Sequence, residues 1–470
     1  MLFPMKFPCL ILLGLLLAAG CSFLPDRDDP AEPAGVPESF SREGSGRPFP
    51  ERWWEDFASE ELNRLITEAL GSSFTLRQVE ARLRQAEASA RISGSERYPR
   101  VDLAGEGGAT RSRTETGGEG TTSTSENYAL FLAASYEIDL WGRVRSTYRQ
   151  ADLLSAAAGE DLAAARITLA GEVTDRWLRE VDLRSRLELA RRQIETNRTY
   201  RELLLLRRRR GLATALAVFQ QDGIVAATEA LVPVLESELE TVRHELAVLL
   251  GRPPRADLGL ASDRLPGRKP LPGLGLPAEL IGNRPDIRAA FSRLESADWG
   301  VAAARAGRLP ALTLAGSAGY RSGESATLFD SWFAAFAGGL LAPLLDGGSR
   351  AAEVDRTRAE AEERLAAYRE TVLQALREVE DALVREEKQA DYIAALRRQL
   401  AAAGNALGQA RLRFRKGEIE YLDILSSLNS TQSLERELLV AERDLLRYRV
   451  ALYRALAGSW GEGGTVSSEQ

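Results

Sequence analysis

The chain has 470 residues, 44% apolar and 27% charged, with a net charge of −7 at pH 7. That acidic balance, with no dominant basic face, argues against a nucleic-acid partner. Length alone would suggest about three globular domains, but the helical runs are far longer than the roughly 11–12 residues usual in such domains.

Residues 1–20 read as a targeting segment. Lys6 precedes an apolar core from Leu10 to Leu17, and Ala-Ala-Gly leads into Cys21, as in a secretory signal with small residues before the cut. LAAGC resembles the bacterial lipobox, which implies cleavage before Cys21, acylation of its thiol and anchoring in lipid. Ser22 after it resembles lipoproteins sent to the outer membrane; an ordinary signal peptide with a free Cys21 is the alternative. Cys9 departs with the signal, so the mature chain has no internal disulfide. Residues 21–52, rich in Pro, Gly and charge, read as a lipidated, extended tether.

A first structural repeat spans 53–250. Trp53 and Trp54 open it, and a helical pattern from Glu60 to Ser95 stops at Pro99. A strand is predicted over 101–110, where Val101 and Leu103 flank Asp102, then a polar loop over 111–126. The next strand sets Tyr128, Leu130, Leu132, Ala134, Tyr136, Ile138 and Leu140 on one face. Trp141-Gly142-Arg143 turns the corner into a helical pattern that meets no proline before Pro233. Beyond the signal, no stretch approaches the ~18 consecutive apolar residues of a spanning helix. A membrane crossing would therefore fall to strands.

Residues 251–280 are Pro-rich and irregular, and read as a linker. From 281 to 457 the earlier order recurs as a second repeat: the helix RPDIRAAFSRLESA, Pro310, the strand ALTLAGSAGY, a loop over 321–330, another strand, the corner DGGSR and a long helix. Leu76 falls on Ile287, Leu83 on Leu294, Pro99 on Pro310 and Gly108 on Gly319, all at an offset of 211. Past the loop, Gly142 falls on Gly347 at 205 and Gly211 on Gly417 at 206. The slip lies between the paired strands, where insertions are tolerated. Residues 458–470 lack pattern and read as a flexible tail.

The second repeat carries a heptad seam. Tyr368, Val372, Ala375, Val379 and Ala382 alternate by three and four, the phase resumes from Ile393 through Leu407 to Phe414, and Leu434, Leu438, Ala441, Leu445, Tyr448, Leu452 and Ala455 repeat it on the return. A 3.5-residue period means left-handed coiling against a partner helix. One helix from Ser349 to Phe414 would reach about 100 Å.

Taken in order, LAAGC, WWEDF, DLWGRVR, NRPDIRAA, LAPLLDGGSRAAE and the tips RRRRGLATALAVFQ and RFRKGEIEYLDILSS give nearly the whole chain a resemblance to outer-membrane efflux channels of the TolC/OprM type, in the NodT-like lipoprotein branch. The resemblance implies a mixed α and β membrane protein of the bacterial outer membrane. In that family a homotrimer makes a twelve-stranded β-barrel from four strands per protomer, continued by long coiled-coil helices as a periplasmic α-helical tunnel. Four strands cannot close alone, since membrane barrels need at least about eight; self-association follows from that, and the number three comes from the resemblance.

The implied function is a passive exit duct with no cofactor. It would dock through hairpin tips at Arg210, Gly211, Lys416 and Gly417 to a periplasmic adaptor and an inner-membrane transporter. The resemblance also places a pore constriction at Phe414, Leu422, Asp423 and Ser426: Leu422 on an apolar ring, Asp423 and Ser426 where TolC-like members carry two aspartates, and Phe414 on a gating tyrosine. Ser426 and Phe414 depart from that pattern, as does Ala217 in the first tip, where relatives often have Asp.

Other residues carry weaker signals. His244 lacks a second ligand at metal spacing and reads as a surface residue. Arg207 to Arg210 either grip an adaptor or solvate a helix end. Trp141 either sits at a membrane interface or packs the corner. Gly347-Gly348-Ser349 lacks the lysine of a phosphate loop, and no Ser/His/Asp or Cys/His set supports catalysis. The alternatives are a periplasmic adaptor lipoprotein, which would normally show one hairpin rather than two, and a coiled-coil spacer, which leaves four strands unexplained.

Overall fold

The computed structural model describes residues 36–42, 49–50, 52–117 and 119–457; the signal segment, Cys21 and the tail 458–470 lie outside them. A 3₁₀ turn (Trp53–Phe57) precedes α1 (Glu60–Ser72), α2 (Phe74–Ser95), β1 (Arg100–Thr116), β2 (Glu119–Ile138), α3 (Arg143–Arg209), α4 (Ala215–Glu229) and α5 (Leu231–Leu249). Then come α6 (Pro277–Asn283), α7 (Pro285–Ala306), β3 (Ala311–Ser322), a second 3₁₀ turn (Ser325–Asp330), β4 (Trp332–Leu341), α8 (Ser349–Lys416) and α9 (Tyr421–Leu456). The described residues divide into two compact units. One takes its described residues from Arg82–Gly159 and Ala289–Arg369; the other takes its described residues from 36–81, Glu160–Arg288 and 370–457.

The first unit holds the sheet, in which each strand pairs antiparallel with its neighbour in the order β1-β2-β3-β4. The polar loop expected over 111–126 is strand instead: β1 and β2 stay in register from Arg100↔Ser135 to Thr116↔Glu119. Threonines at 110, 114, 121, 122 and 124 favour extended backbone, and the hydroxyls of Ser112 and Ser123 meet across the pair at 2.9 Å. Gly117 takes φ +63°, the left-handed conformation a two-residue hairpin turn demands; Gly118 lies outside the described residues. Polarity in this stretch marks a strand with water on both faces rather than a loop.

Strand register sorts alternate residues onto two faces. Residue by residue across the rungs, Leu103, Leu132, Ala318 and Ala334 share one face, as do Leu130, Tyr320 and Trp332, and Ala134, Gly316 and Phe336. Tyr136, Leu314, Gly338, Ile138, Leu312 and Leu340 extend it, with no charged side chain where all four strands pair; beyond Tyr128 the same face carries Glu126, Arg111 and Arg113. Several of its large side chains are nonetheless exposed, Trp332 at 78% and Phe336 at 79%, while Leu130, Tyr136, Ile138, Leu312 and Leu314 are half-buried. The opposite face carries Asp102, Glu106, Glu137, Thr313, Ser317 and Arg321. Gly319 permits this pairing: a Cβ there would lie 2.2 Å from the Leu130 carbonyl oxygen and 2.5 Å from Phe131 Cα.

Both long helices start behind an aspartate that accepts their first N–H groups. Asp139 receives Val144 and Arg145 at 3.1 and 2.8 Å; Asp346 receives Gly348 and Arg350 at 3.0 and 3.2 Å, a capping role that satisfies otherwise orphaned donors. Trp141 is tied into the corner, its indole N–H donating to the Pro310 carbonyl at 2.7 Å.

In the second unit most heptad positions are buried, Val372, Ala375, Val379, Ile393 and Leu396 on α8 and Leu434, Ala441, Leu452 and Ala455 on α9, while Leu438, Leu445 and Tyr448 are half-buried. The helix returning from the first hairpin divides between α4 and α5 at Ala230, three residues before Pro233, which has no N–H to donate. Order begins before Trp53, since Phe40 is buried and the Ser41 N–H donates to Glu380 at 2.9 Å. Trp53 is fully buried and stacks on Tyr453 at 5.5 Å, and the Tyr453 hydroxyl donates to Asp56 at 2.7 Å. Beneath the linker, Arg449 and Glu386 form a buried two-pronged pair at 2.8 and 2.6 Å. Arg449 also donates to the carbonyls of Lys269 and Pro270 at 2.9 and 3.0 Å. Among the described residues no helix is long and apolar enough to cross a membrane.

Candidate functional site

The candidate site is the pair of hairpin tips in the second unit, where α3 turns into α4 and α8 into α9. Each turn closes by the same local chemistry. In the first, Gly211 N–H reaches the Arg208 carbonyl at 2.9 Å and Leu212 N–H the Arg207 carbonyl at 2.8 Å; in the second, Gly417 reaches Phe414 and Glu418 reaches Arg413, each at 3.0 Å. These two-bond closures need a residue in left-handed conformation just past the helix, and Gly211 and Gly417 supply it at φ +73° and +78°. Basic residues fill the last turn of each helix, Arg207, Arg208 and Arg209 on α3 and Arg413, Arg415 and Lys416 on α8, where the helix dipole favours positive charge.

Between the tips lies one apolar cluster, built from Leu204 and Val218 of the first hairpin and Leu407, Ala410, Phe414, Tyr421, Ile424, Leu425 and Leu428 of the second. The four residues expected at a constriction do not behave alike. Leu422 (55% exposed), Asp423 and Ser426 are exposed on one face of α9, as their spacing of three and four residues requires. Phe414 is inside the cluster, 6.0 Å from the Tyr421 ring, with the Arg207 guanidinium 4.2 Å above its face, an arrangement in which the ring quadrupole attracts the cation. Arg210, Gly211, Lys416 and Gly417 are exposed at the turns.

A buried polar network, not anticipated from the sequence, joins the two hairpins behind this cluster. The Tyr421 hydroxyl donates to Gln221 at 2.6 Å; Gln221 donates to the Asn197 carbonyl at 2.7 Å. Asn197 and Gln432 exchange side-chain hydrogen bonds at 3.2 and 3.0 Å, and Asn197 also donates to Thr228 at 3.0 Å. Gln193 continues the chain to the Gln432 carbonyl and to Glu435, at 3.1 and 2.8 Å. Burial pushes the Tyr421 phenol up, and the neighbouring Tyr200 adds to the shift. The available signal was amide side chains in otherwise apolar helical faces, which periodicity treats as interruptions. The site offers shape, charge and hydrogen bonds that can hold or release two helix pairs.

The family model described as outer membrane efflux protein matches residues 65–252 and 276–458. A pyoverdine export outer membrane protein, OpmQ of Pseudomonas putida, is 33% identical over 96% of this chain and 97% of its own. The outer membrane protein OprJ of Pseudomonas aeruginosa is 32% identical over 97% and 96%. Among solved structures, the outer-membrane channel OprN superposes with a TM-score of 0.85 at 31% identity, covering 93% of this chain and all of that one. These matches set aside the adaptor and the spacer. The chain belongs to the outer membrane efflux protein family: it is an outer-membrane channel of the TolC/OprM type, the exit duct of an efflux pump rather than an enzyme.

Proposed function

We propose that three copies close into one twelve-stranded barrel and conduct solutes passively from a periplasmic adaptor and an inner-membrane transporter to the outside. The observation that carries this is the uncharged face where all four strands pair, with Leu103, Leu132, Trp332, Phe336 and Leu340 exposed on it, bounded by strands β1 and β4 that each have a neighbour on one side only among the described residues. In a bilayer each unpaired backbone group costs several kcal/mol. The strands alternate in direction, so β4 of one copy can pair antiparallel with β1 of the next, and closure leaves no edge. The polar face then lines the lumen.

In this reading the signal 1–20 is removed, Cys21 is acylated, and the tether 21–52 joins the lipid to the first of two repeats, 53–250 and 281–457, separated by the linker 251–280 and followed by the tail 458–470. The recurring order of helix, strand pair and long hairpin supports the repeat. Leu422, Asp423 and Ser426 line a constriction at the second tip, and Phe414 shapes it from inside. Tips at Arg210, Gly211, Lys416 and Gly417 dock the adaptor. Selection is by aperture and charge, opening is a shift of packed helices, and the transporter chooses the cargo.

The test is oligomer size in detergent combined with planar-bilayer conductance. A trimer that forms channels is expected. A Cys21→Ala protein that is released from membranes without detergent, as a soluble, non-conducting rod, would overturn the barrel.

A further inference from the structure

We infer that the paired tips form an anion-attracting mouth, so that the duct favours negatively charged solutes; this rests on the tips being the periplasmic entrance. Residues 204–219 and 411–426 contain eight arginines and lysines against three acids, in a chain whose overall charge is −7. Part of that charge is engaged locally. Arg207 covers the Phe414 ring, Arg411 donates to the Tyr200 hydroxyl, and Arg413 and Lys416 share Glu418 at 3.3 and 3.9 Å. Arg208, Arg209, Arg210 and Arg415 are exposed and have no acidic partner among the described residues. Within these two segments Glu420 and Asp423 remain to oppose them.

Helix-dipole compensation accounts for cations inside the last turns of α3 and α8. It does not account for Arg210, beyond the end of α3, nor for an excess this large. Ser426 brings no charge to the exposed face it shares with Asp423, and Ala217 brings none to the first tip. Repetition of this imbalance around an entrance focuses a positive potential there, which raises the local concentration and arrival rate of anions; rings of Arg and Lys act this way in anion-selective pores.

The experiment uses the full-length protein, purified as oligomer and placed in a planar bilayer under a KCl gradient at low ionic strength. There the screening length is about 30 Å at 0.01 M, against about 3 Å at 1 M. The reversal potential is expected on the chloride side, fading as salt rises. The variant R208Q/R209Q/R210Q/R415Q, which keeps Arg207 on Phe414, should move it toward the potassium side, and Asp423→Asn should move it further toward chloride. Inositol hexakisphosphate added on the tip side should block the wild-type channel, and the four-residue variant should need at least about tenfold more, as the lost local enrichment requires. A potassium-side potential in the wild type, or variants with wild-type potential and block, would overturn the inference while leaving the duct intact. A protein with no conductance would instead remove the duct, and the mouth with it.

Discussion

The Tyr421 hydroxyl donates a hydrogen bond to Gln221 Oε1 across 2.6 Å, so the second hairpin is bonded to the first through neutral side chains buried between them. Tyr421→Phe keeps the ring and deletes the donor, leaving the Gln221 oxygen buried and unmatched at a cost of ~1–3 kcal/mol. Urea unfolding in detergent should show that loss, and planar-bilayer recordings should show longer openings. Because burial raises the Tyr421 pKa above the ordinary ~10, its contribution is complete below that value and declines as pH climbs toward the folded one. The difference between variant and wild type should therefore be constant from pH 6 to pH 9.

Asp182 on α3 behaves in the opposite range. It is fully buried, bonded to Arg443 at 3.2 Å and near Arg186 at 3.7 Å, and its second oxygen has no partner. Burial pushes its pKa up to about 6, Arg443 and Arg186 pull against that shift, and Asp444 adds to it. The folded state thus holds a proton that the unfolded state releases, and stability falls as pH rises through this window. Wild-type unfolding free energy should increase by roughly 1 kcal/mol between pH 7 and pH 5 from this group, and Asp182→Asn should abolish that increment.

Arg449 and Glu386 are both almost without solvent contact. Arg449→Met strands the Glu386 carboxylate and frees the carbonyls of Lys269 and Pro270, so a loss of ~3–5 kcal/mol is expected. Arg449→Met with Glu386→Leu removes both charges and should recover much of it. Differential scanning fluorimetry of the four proteins in the cycle measures the coupling.

The two sheet faces should differ sharply in their tolerance of charge. Leu132→Arg places a cation on the uncharged face and should cost ~2–4 kcal/mol if that face meets the bilayer midplane. Ala133→Arg, one residue on and on the other face, should be tolerated better. Yield of heat-modifiable oligomer in outer-membrane fractions reads the difference.

The sequence made the uncharged sheet face legible because alternation at period two is written in Tyr128 through Ile138, and the coiled hairpins because Val372 to Phe414 keep one phase. It misleads over 111–126, where Ser and Thr suggest a loop although β-branched chains with water on both sides still pair when Gly117 permits the turn. It was silent about Asn197, Gln221 and Gln432, since an amide earns its place in a core through partners about 200 residues away in sequence. The heptad phase puts Phe414 on the packed seam, but its cover by Arg207 was hidden for a related reason: that arginine comes from the other hairpin.

The unequal arms of the sheet divide the chain by what it must answer to. β1 pairs with β2 through seventeen rungs and β3 with β4 through ten, whereas crossing a bilayer takes about 9–11. In the proposed barrel the surplus at Gly117 stands clear of lipid and of every packed contact described above. Substitutions or insertions there would disturb neither the four-strand pairing nor the helical packing, so this arm is where a foreign epitope can be displayed at least cost to the channel.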